Sequence, residues 1–184
     1  MNKDVERILF SEEQLKKRVN ELGKEIAADY KDKNPLLVGI LKGSVVFMAD
    51  LMRAVDIPCQ IAFLSARSYG LKSSSSGTID MDADLAHALG TNIEGRHIIL
   101  VEDILDTALT LSTVYNRINE LKPASVKVCT LLDKNVQRSI DFHADYKCFD
   151  VENEFVVGYG LDYAQNYRNL PYIGVLKHEV YENK

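Results

Sequence analysis

The sequence predicts an α/β domain, a mostly parallel central sheet flanked by helices, with a small accessory lobe built from the chain ends. Two observations carry that expectation. Short apolar runs rich in β-branched residues (Leu36 to Leu41, His97 to Val101, Val126 to Leu132) lack polar alternation, the pattern of strands buried on both faces of a sheet. Helical periodicity follows each of the first two runs, so that strand and helix alternate along the chain and helices return it across the sheet faces.

The elements follow in order. Ser11-Glu12-Glu13-Gln14 has capping-box form, and Leu15, Val19, Leu22 and Ile26 then recur at helical spacing, giving an amphipathic helix that ends near Tyr30. Asn34-Pro35 breaks it, and Leu36 to Leu41 is a buried-type strand. Lys42-Gly43-Ser44 makes a tight turn into a second helix, Val45 to Val55, and a strand-like run covers Ile61 to Ala66. The stretch 67–84, with four consecutive serines, reads as a long exposed loop; a mobile lid over a site is preferred to plain surface disorder. The run from His97 to Val101 delivers Glu102 and Asp103 side by side, and Asp106-Thr107-Ala108-Leu109-Thr110 opens a helix continued by Leu111 to Leu121. Pro123 stops that helix, and Val126 to Leu132 ends in Asp133-Lys134. Shorter strands are expected over Tyr146 to Phe149, Phe155 to Tyr159 and Tyr172 to Leu176.

The 184 residues make one domain, 1–184, with a generous core. A net charge of -5 argues against a chain devoted to coating nucleic acid, so any anion site must be local. The cysteines, Cys59, Cys129 and Cys148, are odd in number and lack C-x-x-C spacing, which suggests reduced thiols in the cytoplasm. His87, His97, His143 and His178 are scattered and receive no chemical role. No apolar stretch reaches membrane-spanning length and no leader is recognised, so neither membrane nor secretion is expected.

Ligands of α/β sheets gather at the carboxyl ends of strands, where this chain puts its chemistry. Adjacent carboxylates such as Glu102 and Asp103 repel one another unless a metal ion or vicinal hydroxyls stand between them. The turn after them supplies hydroxyls and unpaired amides at a helix N-terminus, which suits a phosphate. The plainer alternative is a solvated acidic strand end with Asp106 or Thr107 as N-cap. Lys42-Gly43 pairs a point charge with a glycine that lets backbone approach oxygen, although it is not a Walker A loop. Lys134, Phe155, Asp162 and Arg168 add a donor, an aromatic face, a carboxylate and a guanidinium suited to phosphate.

The apolar-Glu102-Asp103-x-x-Asp106-Thr107-x-x-Thr110 segment resembles the phosphoribosyl pyrophosphate motif of type I phosphoribosyltransferases. Leu41-Lys42-Gly43-Ser44, Ser68-Tyr69-Gly70, Leu131-Leu132-Asp133-Lys134 with Arg138, Phe155 through Tyr163, and Tyr167-Arg168-Asn169-Leu170-Pro171-Tyr172 narrow the resemblance to the hypoxanthine-guanine branch, from about Ile8 to Leu176. The resemblance implies a type I phosphoribosyltransferase fold with a small hood lobe. It also implies purine salvage: a 6-oxopurine displaces pyrophosphate from 5-phosphoribosyl 1-pyrophosphate, giving IMP or GMP, with Mg²⁺ required. By resemblance Glu102 and Asp103 hold the ribose hydroxyls and the metal or its waters, and Asp106 faces purine nitrogen 7 as proton acceptor. Thr107, Ala108, Leu109 and Thr110 would wrap the 5-phosphate. Lys42 and Gly43, aided by Arg168, would contact pyrophosphate, with a non-proline cis peptide before Lys42. Lys134 would donate to the oxygen at purine carbon 6, Phe155 would stack on the ring, and Val156 would offer backbone groups to its edge. Asp162 would serve the second-carbon side of the base or a second magnesium, and the Ser68-Tyr69 loop would close over the reaction. A homodimer or homotetramer is implied at family level.

Three positions depart from that pattern. Ala108 stands where the phosphate loop usually has glycine; if positive φ is required there, Ala108→Gly should lower the Michaelis constant for the phosphoribosyl donor. Glu154 stands where a basic residue is common and should point away from the base. The acidic run Asp80 to Asp84 stands where relatives tend to carry lysine, and is read as solvated loop in preference to a run that alters lid closure. Rival readings are an RNA-binding regulator of the same fold, an aspartyl-phosphate protein using Asp103, and a xanthine-preferring relative.

Overall fold

The computed structural model describes residues 3–65, 85 and 89–182. The expected lid at 67–84, including Ser68, Tyr69 and the acidic run, lies outside the described residues, as does His87. Twelve elements appear among the described residues: β1 (Val5–Phe10), α1 (Glu12–Asp29), β2 (Leu36–Leu41), α2 (Val45–Ala54), β3 (Gln60–Ser65) and β4 (His97–Leu105), then α3 (Leu109–Glu120), β5 (Ser125–Lys134), β6 (Tyr146–Val151), β7 (Val156–Val157), β8 (Ile173–Leu176) and α4 (His178–Tyr181).

The central sheet is parallel throughout, in the order β3-β2-β4-β5-β6. Its unalternated apolar strands are buried on both faces. Leu37, Ile99, Val101, Cys129 and Leu131 pack against Leu15, Leu22 and Ile26 of α1 and Phe47, Met48 and Leu51 of α2. Val38, Ile40, Ile98, Leu100, Val126 and Val128 face the other way, against Leu111, Val114 and Ile118 of α3. The period of two along each strand thus feeds two cores from one sheet. The capping box forms as expected: the Gln14 amide donates to Ser11 Oγ, and the Ser11 amide donates to Gln14 Oε1 at 2.8 Å.

The chain runs outward from β2 to β3, then resumes on the other side of β2 with β4. The direction of winding therefore reverses between β2 and β4, and the crevice at their carboxyl ends is the favoured ligand position in such sheets. Lys42-Gly43 leaves β2 there and the acidic segment leaves β4 there.

A second sheet, β1-β8-β7, is antiparallel and joins the two chain ends into the accessory lobe. Val5, Val157 and Leu176 are buried at its centre. Several strands differ from expectation, among them β5 and β6, which run on to Lys134 and Val151. β4 continues past the acid pair to Leu105, because Glu102, Ile104 and Leu105 stay in register with Thr130, Leu132 and Asp133 of β5. The strand expected over Phe155 to Tyr159 shrinks to Val156–Val157, since Gly158, Tyr159 and Gly160 have φ of 101°, 50° and 104° and cannot continue an extended chain. β1 was not expected at all: Val5 to Phe10 has no clean alternation, and its strand form comes from pairing with β8.

Candidate active site

The β2 corner is packed from two sides. The Leu41–Lys42 peptide bond is cis, as the resemblance implied. A Cβ on Gly43 would lie 1.5 Å from Asp103 Oδ2, and a Cβ on Gly160 would lie 2.1 Å from the Gly43 carbonyl oxygen. Only glycine allows the corner to sit between the acid and the 158–160 turn. Ser44, fully buried, donates its hydroxyl to the Ile40 carbonyl at 2.6 Å and ties the corner back to β2.

Glu102 and Asp103 stand side by side on β4 with little solvent to screen them. Burial pushes the Glu102 carboxyl well above the ordinary range, and the neighbouring Asp103 charge adds to the shift. Burial also raises Asp103, but its bonds to Glu102 and to the Ile104 amide (2.8 Å), with the Arg168 charge, pull it back. A cation placed between the two carboxylates would offset that repulsion and the cost of burial. Magnesium suits this donor set, because it is commonly held by one or two carboxylates plus waters and substrate phosphates rather than by an all-protein cage. Among the described residues no three His, Cys, Asp or Glu side chains gather closely enough to hold an ion, so Asp162 does not form one set with the pair.

Beyond the acids, Glu102, Asp106, Thr107, Ala108 and Thr110 line a pocket of about 150 Å³ at the α3 N-terminus. Ala108 is the N-cap, with φ 64° and ψ -2°, and no side chain caps the helix. Neither Asp106 nor Thr107 is therefore the N-cap of the plainer alternative, and the first amides of α3 are left for a ligand. Thr107, Leu109 and Thr110 are exposed around it.

Lys134, at the end of β5, brings Nζ within 3.3 Å of Asp106 Oδ2. Arg138 has no task of its own in the sequence motif to which it belongs. Its nearly buried guanidinium donates to the Asp106 carbonyl (2.8 Å), the Leu105 carbonyl (2.9 Å), the Lys134 carbonyl (3.0 Å) and Asp133 Oδ1 (2.5 Å). With the Phe142 carbonyl at 3.4 Å as a fifth acceptor, it locks the ends of β4 and β5 together, and nothing in its spacing could have revealed these acceptors in one place.

The remaining residues come from the accessory lobe and the turns beside it. Arg168 donates to the Gly160 carbonyl (2.6 Å) and pairs with Asp162 Oδ1 (2.7 Å). Gln165, also missed, receives Lys42 Nζ at 3.3 Å while its amide donates to Asp162 Oδ2 at 2.8 Å. Lys42, Asp162 and Arg168 are thus one cluster beside Gly43. Phe155 is 37% exposed. Its carbonyl accepts from the Leu176 amide of β8, so strand alternation turns the Val156 amide and carbonyl to the open side of β7, an edge strand. Glu154 is held by Arg7 of β1 at 2.5 Å.

Residues 7–164 match the family described as Phosphoribosyl transferase domain. The hypoxanthine-guanine phosphoribosyltransferase of Streptococcus pneumoniae is 47% identical over 183 residues, covering 100% of this chain and 99% of its own. That of Streptococcus agalactiae is 49% identical over 181 residues, covering 98% of each chain. The solved hypoxanthine phosphoribosyltransferase of Staphylococcus aureus superposes with a TM-score of 0.85 at 41% identity, covering 98% of this chain and 96% of that one.

Proposed function

This chain belongs to the phosphoribosyltransferase family, and we propose that it serves purine salvage, transferring the 5-phosphoribosyl group of 5-phosphoribosyl 1-pyrophosphate to hypoxanthine or guanine with release of pyrophosphate. The observation that carries the base assignment is the pairing of Lys134 with Asp106 at 3.3 Å. A 6-oxopurine presents an acceptor, O6, beside the N7 position on one edge, and a lysine donor beside a carboxylate acceptor matches that edge. Adenine offers an amino donor where Lys134 also donates, leaving both unpaired at about 1–3 kcal/mol.

In the transfer, base N9 forms the new bond to the anomeric carbon while the bond to pyrophosphate breaks. Asp106 accepts the proton from N7, or holds it in a hydrogen bond, as charge builds on the base. The α3 amides with Thr107 to Thr110 hold the 5-phosphate, and Lys42, the Gly43 backbone and Arg168 receive the leaving pyrophosphate. Glu102 and Asp103 bind the ribose hydroxyls and, with Asp162 for a second ion, would hold magnesium, which when bound screens the pyrophosphate charge. Phe155 stacks on the base and the outward groups of Val156 meet its edge. The resemblance gives the task of excluding water from the sugar to the segment with Ser68 and Tyr69, which lies outside the described residues.

The working form is a homodimer or homotetramer, on family resemblance. All three thiols are free, which supports a reducing, cytoplasmic setting; among the described residues no helix is long and apolar enough to cross a membrane. The test is pyrophosphate release with Mg²⁺ and the phosphoribosyl donor, comparing hypoxanthine, guanine, xanthine and adenine. Release with the 6-oxopurines, and at least about tenfold less with adenine, is expected. No release with any base from folded protein would overturn the proposal, and filter binding to RNA across a salt series would then test the regulator reading.

A further inference from the structure

Phe155 lies just before the two-residue strand β7, and the bond from the Leu176 amide to its carbonyl holds its main chain without fixing its side-chain torsions. A phenyl ring free to turn about two torsions makes a poor platform, because binding must first immobilise it. Here the ring is held by others. Tyr181 stacks on it with centroids 4.9 Å apart and planes inclined at 22°, and Tyr163 meets it at 89° with centroids 5.4 Å apart. His178 in turn meets the Tyr181 ring at 74° and 5.1 Å.

The chain delivers Tyr181 to this place by local means. The Leu176 amide bonds the Phe155 carbonyl at 2.8 Å, so β8 ends beside Phe155. The Lys177 amide then bonds the Asp4 carbonyl at 2.9 Å, and one turn of α4 follows, closed by the Val180 amide on the Lys177 carbonyl. Tyr181 is partly buried against the accessory-lobe cluster of Val5, Val157 and Leu176, whereas Phe155 keeps 37% of its surface open. A ring braced by a second ring and still open to solvent is a platform with a back.

We infer that Tyr181 is a positioning residue for the purine: it backs Phe155, so that a bound base completes a stack in the order base, Phe155, Tyr181. The last turn of the chain then contributes to base affinity without touching the base. This rests on the proposed role of Phe155 as the stacking residue, and the experiment separates the two.

Steady-state rates of the full-length protein are measured for Phe155→Leu, Tyr181→Ala and Tyr181→Phe, with hypoxanthine and the phosphoribosyl donor varied in turn. Loss of bracing removes binding shared by ground and transition states, so Tyr181→Ala should raise KM for hypoxanthine roughly three- to tenfold. Its kcat and its KM for the donor should stay within about twofold. Tyr181→Phe keeps the ring and should restore the native KM. Thermal melts confirm that each variant is folded. An unchanged hypoxanthine KM in Tyr181→Ala, beside a raised one in Phe155→Leu, overturns the backing role and leaves the stacking role standing. A lowered KM in Tyr181→Ala overturns it too, since the ring would then compete with the base. A Tyr181→Phe variant as impaired as the alanine would assign the effect to the hydroxyl and refute the stack. An unchanged KM in Phe155→Leu overturns the stacking role itself.

Discussion

Gly43→Ala tests the central packing claim of the site. The added Cβ would lie 1.5 Å from Asp103 Oδ2, whereas real Cβ contacts essentially never fall below 3.0 Å, so the acid and the corner must separate by about 1.5 Å. Neither side yields readily. Asp103 is 9% exposed and its other oxygen accepts the Ile104 amide at 2.8 Å. The corner cannot retreat toward the 158–160 turn, where the Gly43 carbonyl already fills the place of a Gly160 side chain. Overpacking of this kind costs about 1–3 kcal/mol, a fall of roughly 2–12 °C in Tm for a chain of this length. A misplacement of about 1 Å at reacting groups can cost about 100-fold in rate. We therefore expect kcat/KM for the phosphoribosyl donor to drop on the order of 100-fold, read as pyrophosphate release at saturating hypoxanthine. A folded Gly43→Ala protein within about threefold of native kcat/KM would refute the reasoning.

Three further outcomes are expected. Ala108→Gly removes a left-handed alanine at φ 64°, worth about 1 kcal/mol, and should lower KM for the donor by up to about fivefold; Tm should not rise, because a buried methyl worth about 0.8 kcal/mol is lost as well, and an unchanged or higher KM would count against this account. Arg138→Lys cannot reproduce a planar fork over five acceptors, so both kcat/KM for hypoxanthine and stability to urea should fall, the latter by about 2–3 kcal/mol; native values for both would show that the β4 and β5 ends hold themselves. Burial pushes the Cys148 thiol up to about 12 and the Cys129 thiol well above its ordinary value. At pH 8 only ~0.01% of Cys148 is thiolate, so intact-mass analysis after iodoacetamide should show at most one added group, on the partly buried Cys59, with all three labelled only in denaturant.

Much of the fold was legible because its signals are local. A strand buried on both faces advertises itself as an apolar run, and Leu36 to Leu41 and His97 to Val101 are such runs. The parallel order of the sheet then needs only the helices between them. The acid pair and the turn after it are contiguous, so the roles proposed for them rest on one segment, and Lys134 stands at a third strand end. Two features escaped. β1 is a strand because β8, distant in sequence, pairs with it, and β7 is short because Gly158, Tyr159 and Gly160 all take positive φ, which glycine permits without requiring it.

The same division explains which site residues were found. Groups proposed to touch a ligand carry a chemical type that suggests the ligand: carboxylates for hydroxyls and metal, lysine for an oxo group, an aromatic ring for a base. Groups that place them carry no such mark. Arg138 is an ordinary arginine until the Leu105, Asp106 and Lys134 carbonyls and the Asp133 carboxylate converge on it, and Gln165 is an ordinary glutamine until Lys42 and Asp162 meet across it. Their importance is set by what they hold apart or together, and the test of each is therefore a split between binding and turnover rather than a loss of activity alone. Gly43 stands between the two groups: its resemblance suggested contact with pyrophosphate, whereas the geometry adds a second demand, that nothing larger than hydrogen separate it from Asp103. A residue that must be small for one reason and present its backbone for another admits no conservative replacement, which makes its alanine variant the more informative of the glycine substitutions.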